Sequence, residues 1–244
     1  MKGGILLSLF TKKGAEAQKS ASEKGLDLKK VYIRLKDGDS VRVRLLGVTD
    51  NTVREFKAHG DFKKGIYTSA CIAPAGVECP YCIAANSGVE GFQDFYARKR
   101  YLITFADIDT GSLRVWDASK QQGEAMLKLF GEYASAKDTM AFTFKRTGSG
   151  ASDTSYNLIP IFELDEKGKE SFEKVGKLEV ADDFLDSVLI PRSREDMITN
   201  LKNAGFPVEQ FFELNFGEDE AEDTQEDIVD DSVEDIAESD IENM

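Results

Sequence analysis

The chain has 244 residues, of which 31 are basic and 45 acidic, giving a formal net charge of −14 at pH 7. Taken alone, that total would exclude nucleic-acid binding, but the charge is segregated along the chain. Residues 218–242 contain 14 acidic residues and no basic one, so residues 1–217 are neutral as a whole. Within them, 1–150 carry a net charge of +7 and 151–217 a net charge of −7. This distribution indicates a basic binding domain followed by an acidic competitor for its binding site.

The first 30 residues are interpreted as a basic N-terminal arm. The apolar stretch Ile5 to Phe10 within this arm is far shorter than the hydrophobic region of a secretory signal. The sequence therefore predicts a cytoplasmic protein with no membrane association.

Strand-like alternation begins at residues 31–36 and continues through 40–48. Val41, Val43 and Leu45 fall on one face of the second segment, and Arg42 and Arg44 fall on the other. Six further strand candidates are 52–58, 65–70, 100–108, 113–118, 139–146 and 155–164. Helices are predicted over 119–134, with Ala125, Leu127, Leu129 and Phe130 near its buried side, and over 194–204. The order favours a mainly β, α+β fold, an OB-fold-like antiparallel barrel with peripheral helices over 31–216.

The sole histidine and all three cysteines fall within 24 residues, in the order His59, Cys71, Cys79, Cys82. One imidazole and three thiolates complete a tetrahedral zinc shell and leave no position for water. Pro80 favours the tight turn that a Cys-X-X-Cys chelate uses. The spacing thus predicts one structural zinc ion per chain in a subdomain over 56–92, and no catalytic residue.

Other uses of these cysteines fit less well. Three cysteines cannot all form disulfides within one chain. The sequence Cys79-Pro80-Tyr81-Cys82 matches the redox motif of glutaredoxins, which lies at the N-terminus of a helix after the first strand of a βαβ unit, whereas here it lies amid strand-like segments. A zinc deaminase needs a His-X-Glu motif, and this chain has His59-Gly60-Asp61.

Aromatic and basic residues are interleaved in two further segments. Bases can stack on exposed rings while cations contact the phosphates, which requires no sequence readout. One segment extends from Phe92 and Phe95 through Tyr96 to Tyr101, and the other contains Arg114, Trp116 and Lys120; about half of these rings are expected to be buried. Lys57, Lys63 and Lys64 add positive charge beside the metal loop. The candidate DNA-binding residues are Arg42, Arg44, Lys63, Lys64, Tyr81, Arg98, Lys99, Arg100, Tyr101, Arg114 and Trp116.

The C-terminal third of the chain is acidic. Residues 165–216 are poorly patterned and are interpreted as a flap on the barrel. Residues 217–244 have too little apolar content to fold alone and are predicted to be a disordered acidic tail. Ile228, Val229, Val233, Ile236 and Ile241 recur among its carboxylates, a pattern suited to recruiting partner proteins; a solubilising tail is the alternative.

These features resemble the phage single-stranded DNA-binding proteins of the T-even helix-destabilising type. The resemblance covers roughly residues 41–120, about a third of the chain, and its most specific part is the ordered His-Cys-Cys-Cys set. The matching motifs are Val41-Arg42-Val43-Arg44, His59-Gly60, Phe62-Lys63-Lys64-Gly65, Tyr67, Cys71, Cys79-Pro80-Tyr81-Cys82, Arg98-Lys99-Arg100 and Leu113-Arg114-Val115-Trp116. In the N-terminal arm, only Thr11-Lys12-Lys13 stands in for the compact basic motif of the family.

The resemblance implies an OB-fold core with a zinc subdomain, sequence-independent binding of single-stranded DNA, and cooperative self-association through the N-terminal arm. It implies zinc ligation by His59, Cys71, Cys79 and Cys82, a cleft lined by Arg98 to Arg100, and stacking on Tyr101 and Trp116. It further implies that the tail recruits replication and recombination proteins, and that the protein acts in phage DNA replication, recombination and repair inside an infected host cell. The alternatives are a zinc-stabilised protein–protein adaptor and a thiol oxidoreductase.

Overall fold

The fold is given by a computed structural model, which describes residues 26–150 and 153–213. Sequence predictions for most of the N-terminal arm and for the acidic tail therefore lie outside the described residues. The strands are β1 Ser40–Arg44, β2 Val53–Asp61, β3 Ile66–Ala70, β4 Arg98–Asp107, β5 Ser112–Ser119, β6 Ala141–Thr147 and β7 Ser155–Ile161. The α-helices are α1 Leu28–Val31, α2 Pro80–Asn86, α3 Lys120–Glu132, α4 Glu166–Val175, α5 Phe184–Val188 and α6 Arg194–Asn203.

Within the described ranges the strands form one antiparallel seven-stranded sheet, which confirms the α+β class. The order is β3-β2-β4-β1-β6-β7, and β5 pairs with β4 off this path. The sheet is not closed, so the barrel expected from the sequence is found only as an open sheet. Helix α3 packs against β4, β5 and β7, so helix side chains, rather than strand pairing, connect β7 to β4 and β5.

Most predicted elements are present, with small shifts at their ends. The strand expected over 31–36 is an exception, because Val31 ends helix α1 and only Tyr32 forms an isolated parallel bridge, with Val115. Helix α3 begins at a capping box in which Ser119 and Gln122 satisfy each other's backbone N–H groups. Helices α1, α2, α4 and α5 were not predicted. None of the helices in the described ranges is long and apolar enough to cross a membrane.

Two separate apolar cores position the functional residues. The sheet core lies between the sheet and α3 and includes Phe105, Trp116 and Phe144. The second core surrounds the cysteines and combines residues 66–95 with residues 197–212, including Met197 of α6. Residues 165–213 therefore do more than cover the sheet, since α6 forms one wall of the second core.

Gly123 of α3 allows the helix to approach β4 closely. A Cβ atom at this position would lie 2.4 Å from Cδ2 of Tyr101. We expect Gly123→Ala to lower the free energy of unfolding by about 1–3 kcal/mol, because the ring or the helix must move. Denaturant unfolding measures this change. Gly131→Ala in the same helix is the matched control: nothing lies within 4 Å of its added methyl group, so it should stabilise the protein by up to about 1 kcal/mol.

Candidate metal centre and nucleic-acid interface

The four candidate metal ligands converge from three elements. His59 lies near the end of β2, Cys71 directly follows β3, and Cys79 and Cys82 flank the start of helix α2. Their ligand atoms all lie within 4.8 Å of one another. Nε2 of His59 is 3.4 Å from Sγ of Cys82 and 3.8 Å from Sγ of Cys79, and the sulfur atoms of Cys71 and Cys82 are 3.5 Å apart. The group is close enough to bind a metal ion.

These separations fit zinc. With Zn–N near 2.0 Å and Zn–S near 2.3 Å, adjacent ligand atoms in a tetrahedral site are about 3.5–3.8 Å apart. The longest separation, 4.8 Å, exceeds this by about 1 Å, an adjustment that side-chain rotation can supply. A set of one imidazole and three thiols is also a common donor set of structural zinc sites.

The His59 ring is held in one orientation by the backbone. Its Nδ1 lies 2.9 Å from the carbonyl oxygen of Phe95, and because a carbonyl can only accept, Nδ1 carries the proton and donates it. Nε2 faces the sulfur atoms and is the ring nitrogen that could bind a metal ion. This arrangement is typical of metal-binding histidines, whose second nitrogen is fixed by an acceptor outside the ligand set.

The three thiols do not ionise equally. Burial raises the pKa of Cys79, but hydrogen bonds with the His59 ring and with the backbone of Cys82 outweigh it, and the pKa falls to about 6. Burial and the neighbouring Cys71 thiol raise the pKa of Cys82 to about 12, and burial likewise raises the pKa of Cys71. Three adjacent thiolates repel one another, so full ionisation of the cluster requires a compensating cation.

The Cys79-Pro80-Tyr81-Cys82 motif starts a helix, although its proline predicted a tight turn. Cys79 is the N-cap residue of α2 and Pro80 occupies its first turn, where a missing N–H costs nothing. Tyr81 is fully buried, and Nδ2 of Asn200 in α6 donates a hydrogen bond to its hydroxyl oxygen at 3.0 Å. The motif therefore connects the ligand cluster to α6.

Two predicted DNA-binding residues are not accessible. Trp116 is 3% exposed and packs against Phe144 and Tyr156 in the sheet core, and Tyr81 is 0% exposed in the second core. A base cannot stack on a ring whose faces are covered by protein, so both residues are corrected to core positions. Phe92 and Phe95 are buried as well, whereas Tyr101 is only partly covered, by α3.

Several predicted DNA-binding arginines are engaged within the fold. Arg44 stacks its guanidinium 4.3 Å from the ring centroid of Phe172, donates to the carbonyl oxygen of that residue, and pairs with Asp138. Arg100 and Arg114 are ion-paired with Asp117 and Asp107 at 2.8 and 3.1 Å. Arg42 is more exposed and pairs with Asp109. These arginines hold the fold together, which leaves other cations for a ligand.

Exposed cations and rings collect at the end of the sheet that carries the ligand cluster. In the β2–β4 register Lys57 lies opposite Lys99 on one face of the sheet, and Arg98 lies opposite Ala58 on the other face, so these cations surround this end of the sheet. The exposed rings nearby are Phe62, Tyr67 and Tyr96, at 41%, 49% and 56% exposure. We call the set Lys57, Phe62, Lys63, Lys64, Tyr67, Tyr96, Arg98 and Lys99 the basic–aromatic surface.

Charge on this surface is incompletely neutralised. Lys99 pairs with Glu55 at 2.8 Å, and Lys64 lies 3.9 Å from Asp61 and 4.8 Å from the ring centroid of Phe92. Lys57 and Lys63 form no ion pair within the part of the chain that the structure describes. Lys57 and Lys63 therefore leave positive charge on this surface that an anionic ligand can neutralise.

Two features of this region were not predicted from the sequence. Phe62 and Tyr67 form an exposed edge-to-face pair with centroids 6.1 Å apart, and Arg98 lies 5.5 Å from the centroid of the Tyr96 ring. The Phe95 carbonyl that orients His59 is a backbone atom and has no signature in the sequence. The edge-to-face pair could have been suspected from Phe62 and Tyr67 flanking a lysine pair and a glycine.

Comparisons with known proteins gave no relative: no family model, no curated protein and no solved structure matches this chain.

Proposed function

We propose that this protein binds single-stranded DNA without sequence preference and protects it during phage DNA replication, recombination and repair. In this proposal His59, Cys71, Cys79 and Cys82 hold one structural zinc ion, and the open sheet is a variant of the OB fold. The acidic tail recruits replication and recombination proteins, and the N-terminal arm mediates cooperative self-association.

The observation that carries the proposal is the basic–aromatic surface. It combines two lysines, Lys57 and Lys63, that have no ion pair among the described residues with three rings of which about half the area is exposed. Grouped exposed apolar residues mark interaction sites, and nucleic-acid bases are flat partners attached to anionic phosphates. The cation over the Tyr96 ring keeps positive charge beside a stacking platform.

The zinc ion would stabilise the strands and the segment that carry this surface. His59 and Ser69 are directly paired between β2 and β3, and Tyr96 follows Phe95, whose carbonyl binds His59. When bound, zinc supplies a structural cross-link among these elements and no catalytic chemistry. The His59 and cysteine side chains would hold the ion, and the rings of Tyr81 and Phe95, 5.5 and 5.4 Å from the His59 ring, pack around the imidazole.

Salt-dependent binding to oligo-dT tests the proposal. A fluorescence titration should show binding that weakens steeply with salt, with a slope of about −0.7 per phosphate contact on a log–log plot. Single-stranded oligonucleotides of different sequence should bind alike, and a duplex of the same length should bind more weakly. A protein–protein adaptor predicts no binding at any salt concentration. A thiol oxidoreductase predicts no zinc in the purified protein and turnover of a disulfide substrate.

A further inference from the structure

An apolar groove of about 450 Å³ opens onto the cysteine cluster. Its walls include Val77, Ile83 and Phe211, and Cys79 and Cys82 form part of its lining. Val77 is half exposed, so the groove is open to solvent. A small uncharged molecule can therefore approach the Cys79 and Cys82 residues that line the groove.

The four ligands differ in their exposure. His59 and Cys79 are buried, whereas Cys71 and Cys82 are partly exposed. The two partly exposed residues have sulfur atoms 3.5 Å apart. A disulfide bond is about 2.05 Å long, so an approach of about 1.5 Å would join them.

We propose that the cluster is a peroxide-sensitive switch: hydrogen peroxide enters through the groove and oxidises Cys71 and Cys82 to a disulfide, which releases the metal ion and weakens DNA binding. This inference rests on the proposed zinc site and the proposed DNA-binding function. The proposed switch differs from oxidoreductase activity, because each chain reduces one peroxide molecule and does not turn over a disulfide substrate.

The chemistry is balanced in two steps. Zinc binding would require Cys82 to lose its thiol proton, and the resulting thiolate attacks one peroxide oxygen. The O–O bond breaks, and the departing hydroxide takes a proton to become water, leaving a sulfenic acid on Cys82. The Cys71 thiolate then attacks the sulfenic sulfur, the S–S bond forms, and a second hydroxide leaves and is protonated to water. Two electrons pass from the sulfur atoms to the peroxide. His59 and Cys79 alone supply two ligands, too few for a structural zinc site.

Loss of the ion would loosen the basic–aromatic surface, because β2, β3 and the segment before β4 contribute residues both to the ligand cluster and to that surface. His59 lies on β2, Cys71 directly follows β3, and the His59 ring is bonded to Phe95, next to Tyr96. The oxidised protein is therefore expected to bind oligo-dT more weakly. Because a disulfide is reducible, dithiothreitol with added zinc should restore binding.

The test uses the zinc-loaded full chain and graded hydrogen peroxide. We expect release of one zinc ion per chain, detected with a chromogenic indicator, and a metal-free mass about 2 Da lower than that of the reduced protein. Peptide mapping should identify a Cys71–Cys82 link, and oligo-dT affinity should fall at least tenfold. A link that involves Cys79, or zinc that is retained while the cysteines are oxidised, would overturn the switch.

A variant with a narrowed groove tests whether peroxide reaches the cysteines through the groove. Val77→Trp adds bulk to a half-exposed wall residue and removes no ligand, so it should still bind one zinc ion per chain but release it several-fold more slowly. Equal release rates would overturn entry through the groove. If zinc is released but the reduced protein never binds oligo-dT, the proposed function fails, and of the switch only the oxidative release of the metal ion stands. If oligo-dT binds equally before and after release, the switch alone fails.

Discussion

Removing the metal ion is expected to unfold the second core while the sheet core remains folded. The ligands lie in the core that combines residues 66–95 with 197–212, whereas Phe105, Phe142 and Phe144 pack in the separate sheet core. A structural zinc ion contributes its binding free energy to folding, about 10–16 kcal/mol in zinc-finger peptides near neutral pH. Chelation should therefore cause a large loss of stability that is confined to the second core.

Hydrogen exchange after chelation measures this outcome. Peptides from 59–95 should lose protection, and so should peptides from 194–212, although residues 96–193 lie between them, since α6 packs on α2. Peptides from β4, β5 and β6 should remain protected. Retention of protection across both halves of the second core would show that the cluster needs no metal.

Substitution of one ligand distinguishes the effect of losing the metal ion on stability from the effect of losing core packing. Cys79→Ser should abolish zinc binding, lower the free energy of unfolding by roughly 4 kcal/mol or more, and make stability insensitive to chelator. Met197→Ala is the matched control, because it removes a fully buried side chain from the same core and no ligand. It should cost about 2–5 kcal/mol and still bind one zinc ion, with stability that remains sensitive to chelator.

The ligand set could be predicted from the sequence because its residue types are rare in this chain. The chain contains one histidine and three cysteines, and their clustering is visible without any fold. Alternation likewise predicted β1, where Val43 is buried and Arg42 faces solvent. Helix α2 escaped prediction because its seven residues are too few to show a helical period and a proline begins it.

The burial of Trp116 could not be predicted, for a physical reason. Alternation assigns Trp116 and Ala118 to one face of β5, but it does not say whether that face meets solvent or a helix. The face is covered because α3 packs against it. Arg44 is similar: its hydrogen-bond acceptor is the backbone of Phe172, 128 residues away in sequence. Such long-range contacts decide which cations remain for a ligand.

Removing two exposed rings together is expected to weaken single-stranded DNA binding strongly while leaving its salt dependence unchanged. Tyr67 and Tyr96 are about half exposed, and each stacked base contributes about 1–3 kcal/mol. The double variant Tyr67→Ala, Tyr96→Ala should therefore lose roughly 30-fold or more in oligo-dT affinity. Trp116→Phe is the control aromatic change: it should lower stability and leave affinity unaltered, because Trp116 is in the sheet core.

Removing lysines from the basic–aromatic surface should, in contrast, change the salt dependence of single-stranded DNA binding. Lys57→Ala with Lys63→Ala removes two lysines of the basic–aromatic surface that form no ion pair among the described residues. If both contact phosphates, the magnitude of the log–log salt slope should fall by about 1.4, and affinity should fall alike for all sequences. Lys167→Ala with Lys174→Ala removes the same charge from the exposed side of α4 and controls for net charge. Stacking variants that change the slope, or lysine variants that behave like the α4 control, would place the DNA elsewhere on the protein.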